Sequence, residues 1–185
     1  MSVNIILASA SPRRKELLKL IYDDFNVIVP KVEEIVPCDV PILKHAEFLS
    51  QIKCSAVAKQ NPDSLVIGAD TVVLADGVIL GKPKTKADAY KMIKMLSEIT
   101  HQVITGCTVI KGNKSECFSV VTDVTFYELS EEEIEWYIST PEPYDKAGGY
   151  GIQSKGGLLV KEIKGDYFNV VGLPVAELNR IIKNF

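Results

Sequence analysis

The sequence predicts an α/β fold, and three stretches carry the prediction. Asn4 to Ala8 is a short apolar run of the kind a buried strand needs, and it leads through small residues into a helical pattern. Ile42 to Lys59 is a long helical pattern. Leu65 to Leu74, soon after it, is the most apolar run in the chain and reads as a central strand. The 185 residues suffice for one domain, spanning 1–185, that buries about 70% of its unfolded surface. Hydrophobic content of 46% and charged content of 24% are ordinary for a globular protein. A net charge of -3 argues against general electrostatic binding of nucleic acid.

In chain order, the first helix has an unusual start. Ser9, Ala10 and Ser11 are small and leave their backbone N–H groups approachable. Ser11 suits the N-cap and Pro12 the first helical position, with Leu17, Leu18, Leu20 and Ile21 as the buried face. A helix N-terminus favours acidic side chains, yet this first turn holds Arg13, Arg14 and Lys15. Each is unfavourable there by roughly 0.3–1 kcal/mol, and an anion would reverse the sign. A phosphate-binding stretch is the sharper reading. A solvated basic helix start is the plainer one.

Phe25 to Val29 reads as a second strand, followed by a loop from Pro30 to Pro41 that carries Glu33 and Glu34. The pair is either solvated or supplies a carboxylate to a divalent metal. In the long helix, Ala46, Leu49, Ile52 (or Lys53), Ala56 and Val57 fall near one face. Lys53 beside that stripe either snorkels to solvent or serves as a point charge for phosphate. Asp70 stands in the most apolar strand, where an unpaired carboxylate is expensive. It is therefore at a strand end facing a cleft, as metal ligand or general base, or hydrogen-bonded for structure. Gly68 and Ala69 keep its approach open.

Asp76-Gly77 is a hairpin turn with Val78 to Leu80 returning. Gly81-Lys82-Pro83-Lys84-Thr85-Lys86 is a basic loop but not a P-loop, because both spacing and the final Ser or Thr fail. Lys82 is its candidate phosphate contact. Lys86 to Leu96 reads as a helix, His101 to Ile110 and Cys117 to Tyr127 as antiparallel strands, and Ser130 with Glu133 as a capping box for a helix to Ile138. Asp145 to Gly157 is rich in glycine, and Ala147, Tyr150 and Ile152 mark it as an ordered loop rather than a linker. Gln153 within it offers a donor and an acceptor to a base edge. Leu158 to Ile163 is a strand, and Pro174 starts a last helix to about Lys183.

Cys38, Cys54, Cys107 and Cys117 form no C-x-x-C pair, and His45 and His101 fit no metal pattern. Reduced, structural thiols are expected. No apolar run suits a membrane span, and the N-terminus lacks the features of a signal peptide, so the expectation is a cytoplasmic protein.

Several of these stretches together resemble the Maf family: Ala8-Ser9-Ala10-Ser11-Pro12-Arg13-Arg14, Ile67 to Val73, Gly81-Lys82-Pro83, Thr100-His101-x-Val103, Glu142-Pro143-x-Asp145 through Gln153, and Gly165-Asp166-Tyr167-x-Asn169 through Pro174. The resemblance covers essentially the whole chain. It implies an elongated mixed β-sheet flanked by helices, with two lobes around a deep cleft, as in the inosine triphosphate pyrophosphatases. It further implies hydrolysis of a nucleoside triphosphate to the monophosphate and pyrophosphate, with Mg²⁺ or Mn²⁺. Arg13, Thr71 and Gln153 match the selectivity positions of the subgroup acting on dTTP and UTP. Asp70 matches the proton acceptor, Lys53 a recurrent lysine, and Glu34, rather than Glu33, the loop glutamate that joins Asp70 at the metal. Ser9, Arg13, Arg14 and Lys82 would meet phosphate. A homodimer is a family-level expectation. Where the family often has Ser-Gly, this chain has Ser97-Glu98, a departure expected to affect stability through a helix C-cap rather than chemistry. The alternative from another class is a non-catalytic nucleotide-binding regulator of cell division at septum formation. That role would need the cations but not Asp70 with its metal.

Overall fold

The computed structural model describes residues 4–185. Its sheet follows from where the apolar runs fall. β1 (Ile5–Ala8) is buried along its whole length, and β3 (Leu65–Ala75) nearly so. The two pair in parallel, with Ile5 opposite Leu65 and Ala8 opposite Gly68. β2 (Asn26–Val27) lies on the other side of β1, also parallel. β4 (Val78–Leu80) returns antiparallel on β3 through Asp76 and Gly77, whose φ values of 47° and 76° suit a tight hairpin. β5 (Thr100–Lys111) and β6 (Lys114–Phe126) are joined by two residues, and β7 (Val160–Lys164) is antiparallel to β6. The order is β2-β1-β3-β5-β6-β7, with β4 off this path on β3, giving a seven-stranded mixed sheet among the described residues.

Helices α1 (Pro12–Leu18), α2 (His45–Ala58), α3 (Lys86–Leu96), α4 (Glu131–Ile138), α5 (Tyr167–Val171) and α6 (Val175–Ile182) complete the fold. The chain forms two compact units. One holds the residues up to Thr71 with Thr105–Val120 and Gly172–Phe185; the other holds Val72–Ile104 and Val121–Val171. In the first, α2 packs Cys54 and Val57 against Ile6, Ala8 and Val66 of β1 and β3. Val175, Leu178 and Ile181 are the buried side of α6. In the second, Ala89, Ile93 and Leu96 of α3 and Ile134, Tyr137 and Ile138 of α4 share a core with Val73, Val103, Val124 and Phe126. Fully burying Ile93 or Leu96 contributes about 1.5–3 kcal/mol each. Both helices start in capping boxes, Thr85 with Asp88 and Ser130 with Glu133.

Several boundaries differ from those the sequence predicts. The first helix ends at Leu18, and i→i−3 bonds from Leu20 and Ile21 turn the chain away. Leu20 is 64% exposed, since it lies roughly 200° round a helix from Leu18 and cannot share its face. The second strand is only Asn26–Val27, an exposed edge. Ile42–Lys44 is a 3₁₀ turn leading into α2, and the strand expected from Leu158 begins at Val160. α5 has no forecast in the sequence; Asp166 Oδ1 accepts the N–H of Phe168 at its start. The glycine-rich stretch is ordered as predicted, in 3₁₀ turns with Gly148, Gly149 and Gly156 buried. No described helix is long and apolar enough to cross a membrane.

Candidate active site

The parallel register builds the site. Pairing of β1 with β3 ends at Ala8 and Gly68, so the chain after β1 leaves the sheet beside Ala69, Asp70 and Thr71. Ligands of open α/β sheets gather outside such carboxyl ends. Ser9 is buried there, and its Oγ accepts the N–H of Ser11 at 3.2 Å. Ser11 caps α1 by accepting from the N–H of Arg14 at 3.4 Å. α1 is only seven residues long. A helix this short offers little dipole to an anion, so the charge at this place is mainly that of the side-chain cations.

Arg14 is tied into the protein. Its Nε donates to the carbonyl of Gly172 at 2.8 Å, Nη2 to Thr71 Oγ1 at 3.0 Å, and Nη1 to Ser9 Oγ at 3.4 Å. Thr71 Oγ1 in turn lies 2.9 Å from Thr105 Oγ1. Burial pulls the guanidinium's pKa below its ordinary value while the charge of Asp70 pulls it back up. It stays protonated, as Arg does in proteins. Arg14 thus fixes the hydroxyls of Ser9 and Thr71 in addition to supplying charge. Thr105 has no forecast in the sequence, because a strand threonine carries no local signal and its partner is 34 residues away.

Asp70 and Lys53 are the buried charged pair of the site. Lys53 Nζ donates to Asp70 Oδ1 at 2.6 Å and meets Glu34 Oε2 at 2.8 Å. The side chains of Lys53 and Asp70 are 10% and 12% exposed, that of Glu34 54%. Asp70 is in mid-strand on β3 rather than at a strand end, just beyond Gly68, where β1 stops pairing, and its carboxylate is bonded to Lys53. Glu34, and not Glu33, makes the contact with Lys53.

Close packing of α2 delivers Lys53 to this point. A Cβ on Gly68 would stand 2.7 Å from Cys54 Cβ, and one on Gly106 only 2.3 Å from the Ala46 carbonyl carbon. Both glycines let the helix lie directly on β3 and β5. The buried side of α2 is Ala46, Ser50, Lys53, Cys54 and Val57, whereas Leu49, Ile52 and Ala56 of the predicted stripe are half-buried. Ser50 Oγ is satisfied by the carbonyl of Glu47 and by Thr108, each at 2.7 Å.

Lys82 and Gln153 belong to the second unit. Lys82 is exposed after β4, in a loop tied down by the bond from Gly148 N–H to the Gly81 carbonyl. Gln153 is exposed on the glycine-rich loop. The four cysteines are free thiols. Burial pushes Cys54 up to about 12 and Cys107 higher still, which keeps both protonated and makes them packing residues rather than nucleophiles. No cluster of three or more His, Cys, Asp or Glu suited to a metal occurs among the described residues. The carboxylate pair of Glu34 and Asp70 is the donor set on hand.

Two solved structures share the fold. A Ham1 protein from Coxiella burnetii aligns with a TM-score of 0.55 over 100% of both chains at 10% identity. The Staphylococcus aureus Ham1 protein aligns with a TM-score of 0.51 over 66% of this chain and 71% of its own, at 19% identity. Sequence relatives are much nearer. A protein of Bacillus velezensis named dTTP/UTP pyrophosphatase is 48% identical over 185 residues, covering 100% of this chain and 98% of the relative. One of the same name from Bacillus anthracis is 50% identical over 98% of this chain and 95% of its own. The family profile described as Maf-like protein matches residues 4–185, and with these full-length relatives it establishes that the chain belongs to the family of Maf-like proteins.

Proposed function

We propose that the chain hydrolyses nucleoside triphosphates, dTTP and UTP in particular, to the nucleoside monophosphate and pyrophosphate. The observation that carries this reading is the Lys53 ammonium held between Asp70 and Glu34, in a chain about half identical over its whole length to relatives named for that reaction. Water attacks the α-phosphorus, its proton passes to Asp70, and the bond from the α-phosphorus to the bridging oxygen of pyrophosphate breaks. Lys53 holds the carboxylate in place and meets the charge of the phosphates. Arg13, Arg14 and Lys82 add cations, and Ser9 offers a hydroxyl held in place by Arg14. Catalysis of this kind is positioning plus electrostatic stabilisation.

The residues fit a divalent cation. Glu34 and Asp70 already converge on one positive group, both present hard carboxylate oxygens, and Mg²⁺ takes one or two carboxylates together with phosphate oxygens. When bound, Mg²⁺ or Mn²⁺ stabilises negative charge on the departing pyrophosphate. For base choice, thymine and uracil present both an N–H and a carbonyl, which the amide of Gln153 complements. Arg13 and Thr71 complete the selectivity set. Nucleoside triphosphates are used in the cytoplasm, where we place the reaction.

The test is a panel of nucleoside triphosphates with Mg²⁺ or Mn²⁺, scoring monophosphate and pyrophosphate together. The expected result is release of both from dTTP and UTP above the purine substrates. Binding without product from any of them would overturn the enzymatic reading and leave a nucleotide-binding regulator.

A further inference from the structure

We propose that Glu142 is a positioning residue for substrate choice, its carboxylate fixing the backbone of the loop that presents Gln153. The inference rests on the reading of Gln153 as the residue that meets the base. Glu142 opens the 3₁₀ turn Glu142–Asp145 after α4, and its side chain reaches across the following loop. Oε2 accepts the hydroxyl of Ser154 at 2.9 Å and the N–H of Gly156 at 3.2 Å. Oε1 accepts the N–H of Lys155 at 3.2 Å. One carboxylate thus takes three donors from the three residues that directly follow Gln153. Burial raises the pKa of Glu142, and these hydrogen bonds more than offset it, leaving the group below its ordinary value and charged at neutral pH.

The other side of Gln153 is held as well. The carbonyl of Glu142 accepts from Lys146 Nζ at 2.9 Å, and the stem of Lys146 lies so close to Gly151 that a Cβ there would stand 2.5 Å from Lys146 Cε. Gly156 is equally confined, since a Cβ on it would meet the Gly151 carbonyl oxygen at 2.6 Å. Gln153 itself is exposed between these two held points. A loop rich in glycine would otherwise lose much freedom on ordering around a ligand, and a preformed backbone removes that penalty from binding. Charge-assisted bonds to backbone N–H groups are the strong kind suited to this task.

The test compares Glu142→Gln, Gln153→Ala and the double variant by kcat/KM for dTTP and dCTP, which differ on the base edge. The account expects Glu142→Gln to lower the dTTP/dCTP ratio about tenfold, through KM for dTTP with kcat within about twofold, and the double variant to discriminate no worse than Gln153→Ala alone. Amide exchange at Lys155 and Gly156 should rise in Glu142→Gln. A ratio unchanged in Glu142→Gln while Gln153→Ala lowers it would overturn the positioning role. A ratio unchanged in Gln153→Ala would overturn the base-reading role of Gln153 and this inference with it. If thermal melting shows Glu142→Gln misfolded, Ser154→Ala replaces it. That variant removes one of the three donors, so a smaller fall in the same direction supports the proposal, and an unchanged ratio overturns it.

Discussion

Lys53 is a charged side chain on the buried side of a helix, and its two carboxylate partners explain how it is tolerated. Removing it would strand Asp70 as a nearly buried carboxylate without its ion-pair partner. Lys53→Met should therefore lower stability by about 3 kcal/mol in urea titration and abolish turnover. Adding Asp70→Asn to it should restore part of the stability but none of the activity. His101 is a different case. It is buried against Phe126 and Tyr150, its Nε2 lies 2.7 Å from the Tyr150 hydroxyl, and burial pulls its pKa down to about 4. Between that value and the 6.5 of the unfolded chain, the unfolded state binds a proton that the folded state does not. Stability should thus fall as pH drops through this window, by on the order of 3 kcal/mol in all. Melting curves of wild type and His101→Phe from pH 7 to pH 4 check this; the slope assigned to His101 should vanish in the variant. Glu98 has φ of 64° just past α3, the left-handed conformation that the comparison of Ser97-Glu98 with Ser-Gly anticipates. Glu98→Gly should stabilise the fold by about 1 kcal/mol, seen as a melting point a few degrees higher.

At the level of elements, α2 is held against the sheet by absences of side chain. Gly106→Ala would drive a methyl into the backbone at Ala46 and Glu47, and overpacking of this sort costs about 1–3 kcal/mol. Because α2 carries Lys53, the same change should reduce turnover by more than its effect on the folded fraction, as kinetics alongside denaturation would show. α2 also marks where sequence reading stops. Apolar periodicity picks out Ala46 and Val57 correctly and leaves Ile52 and Lys53 as alternatives, of which Lys53 is the buried one, but it also puts Leu49 and Ala56 on the buried face. The buried side instead includes Ser50 and Lys53, whose partners Thr108 and Asp70 lie 58 and 17 residues away. A periodicity argument cannot see a polar stripe made acceptable by remote partners. By contrast α3 and α4, whose buried faces are apolar and whose starts are local capping boxes, run to the predicted ends at Leu96 and Ile138. In α1 the expected face holds for Leu17 and Leu18, which are buried, and fails for Leu20, which lies past the helix end and is exposed.

Across the whole chain, the α/β class and most strands were readable from residue patterns, whereas the strand order was not. That order depends on β1 lying between β2 and β3 and on β5 following β3, pairings that join segments far apart in sequence. The site shows the same division. Arg14 and Asp70 stand out as candidates by charge in an unusual place and Ser9 as a small residue before the helix, while Glu34 becomes a specific candidate only through the resemblance to a family and through its contact with Lys53. Thr105 and Glu142 had no visible role because their significance lies in what they hold. The central claim is that Asp70, paired to Lys53 beside the end of β1, accepts the proton in hydrolysis of a pyrimidine nucleoside triphosphate. Its most direct test is pyrophosphate release from dTTP by Asp70→Asn, run beside a melting curve. The account predicts a cooperatively folded variant with turnover reduced at least about 100-fold; a folded variant that releases pyrophosphate at close to the wild-type rate would contradict it.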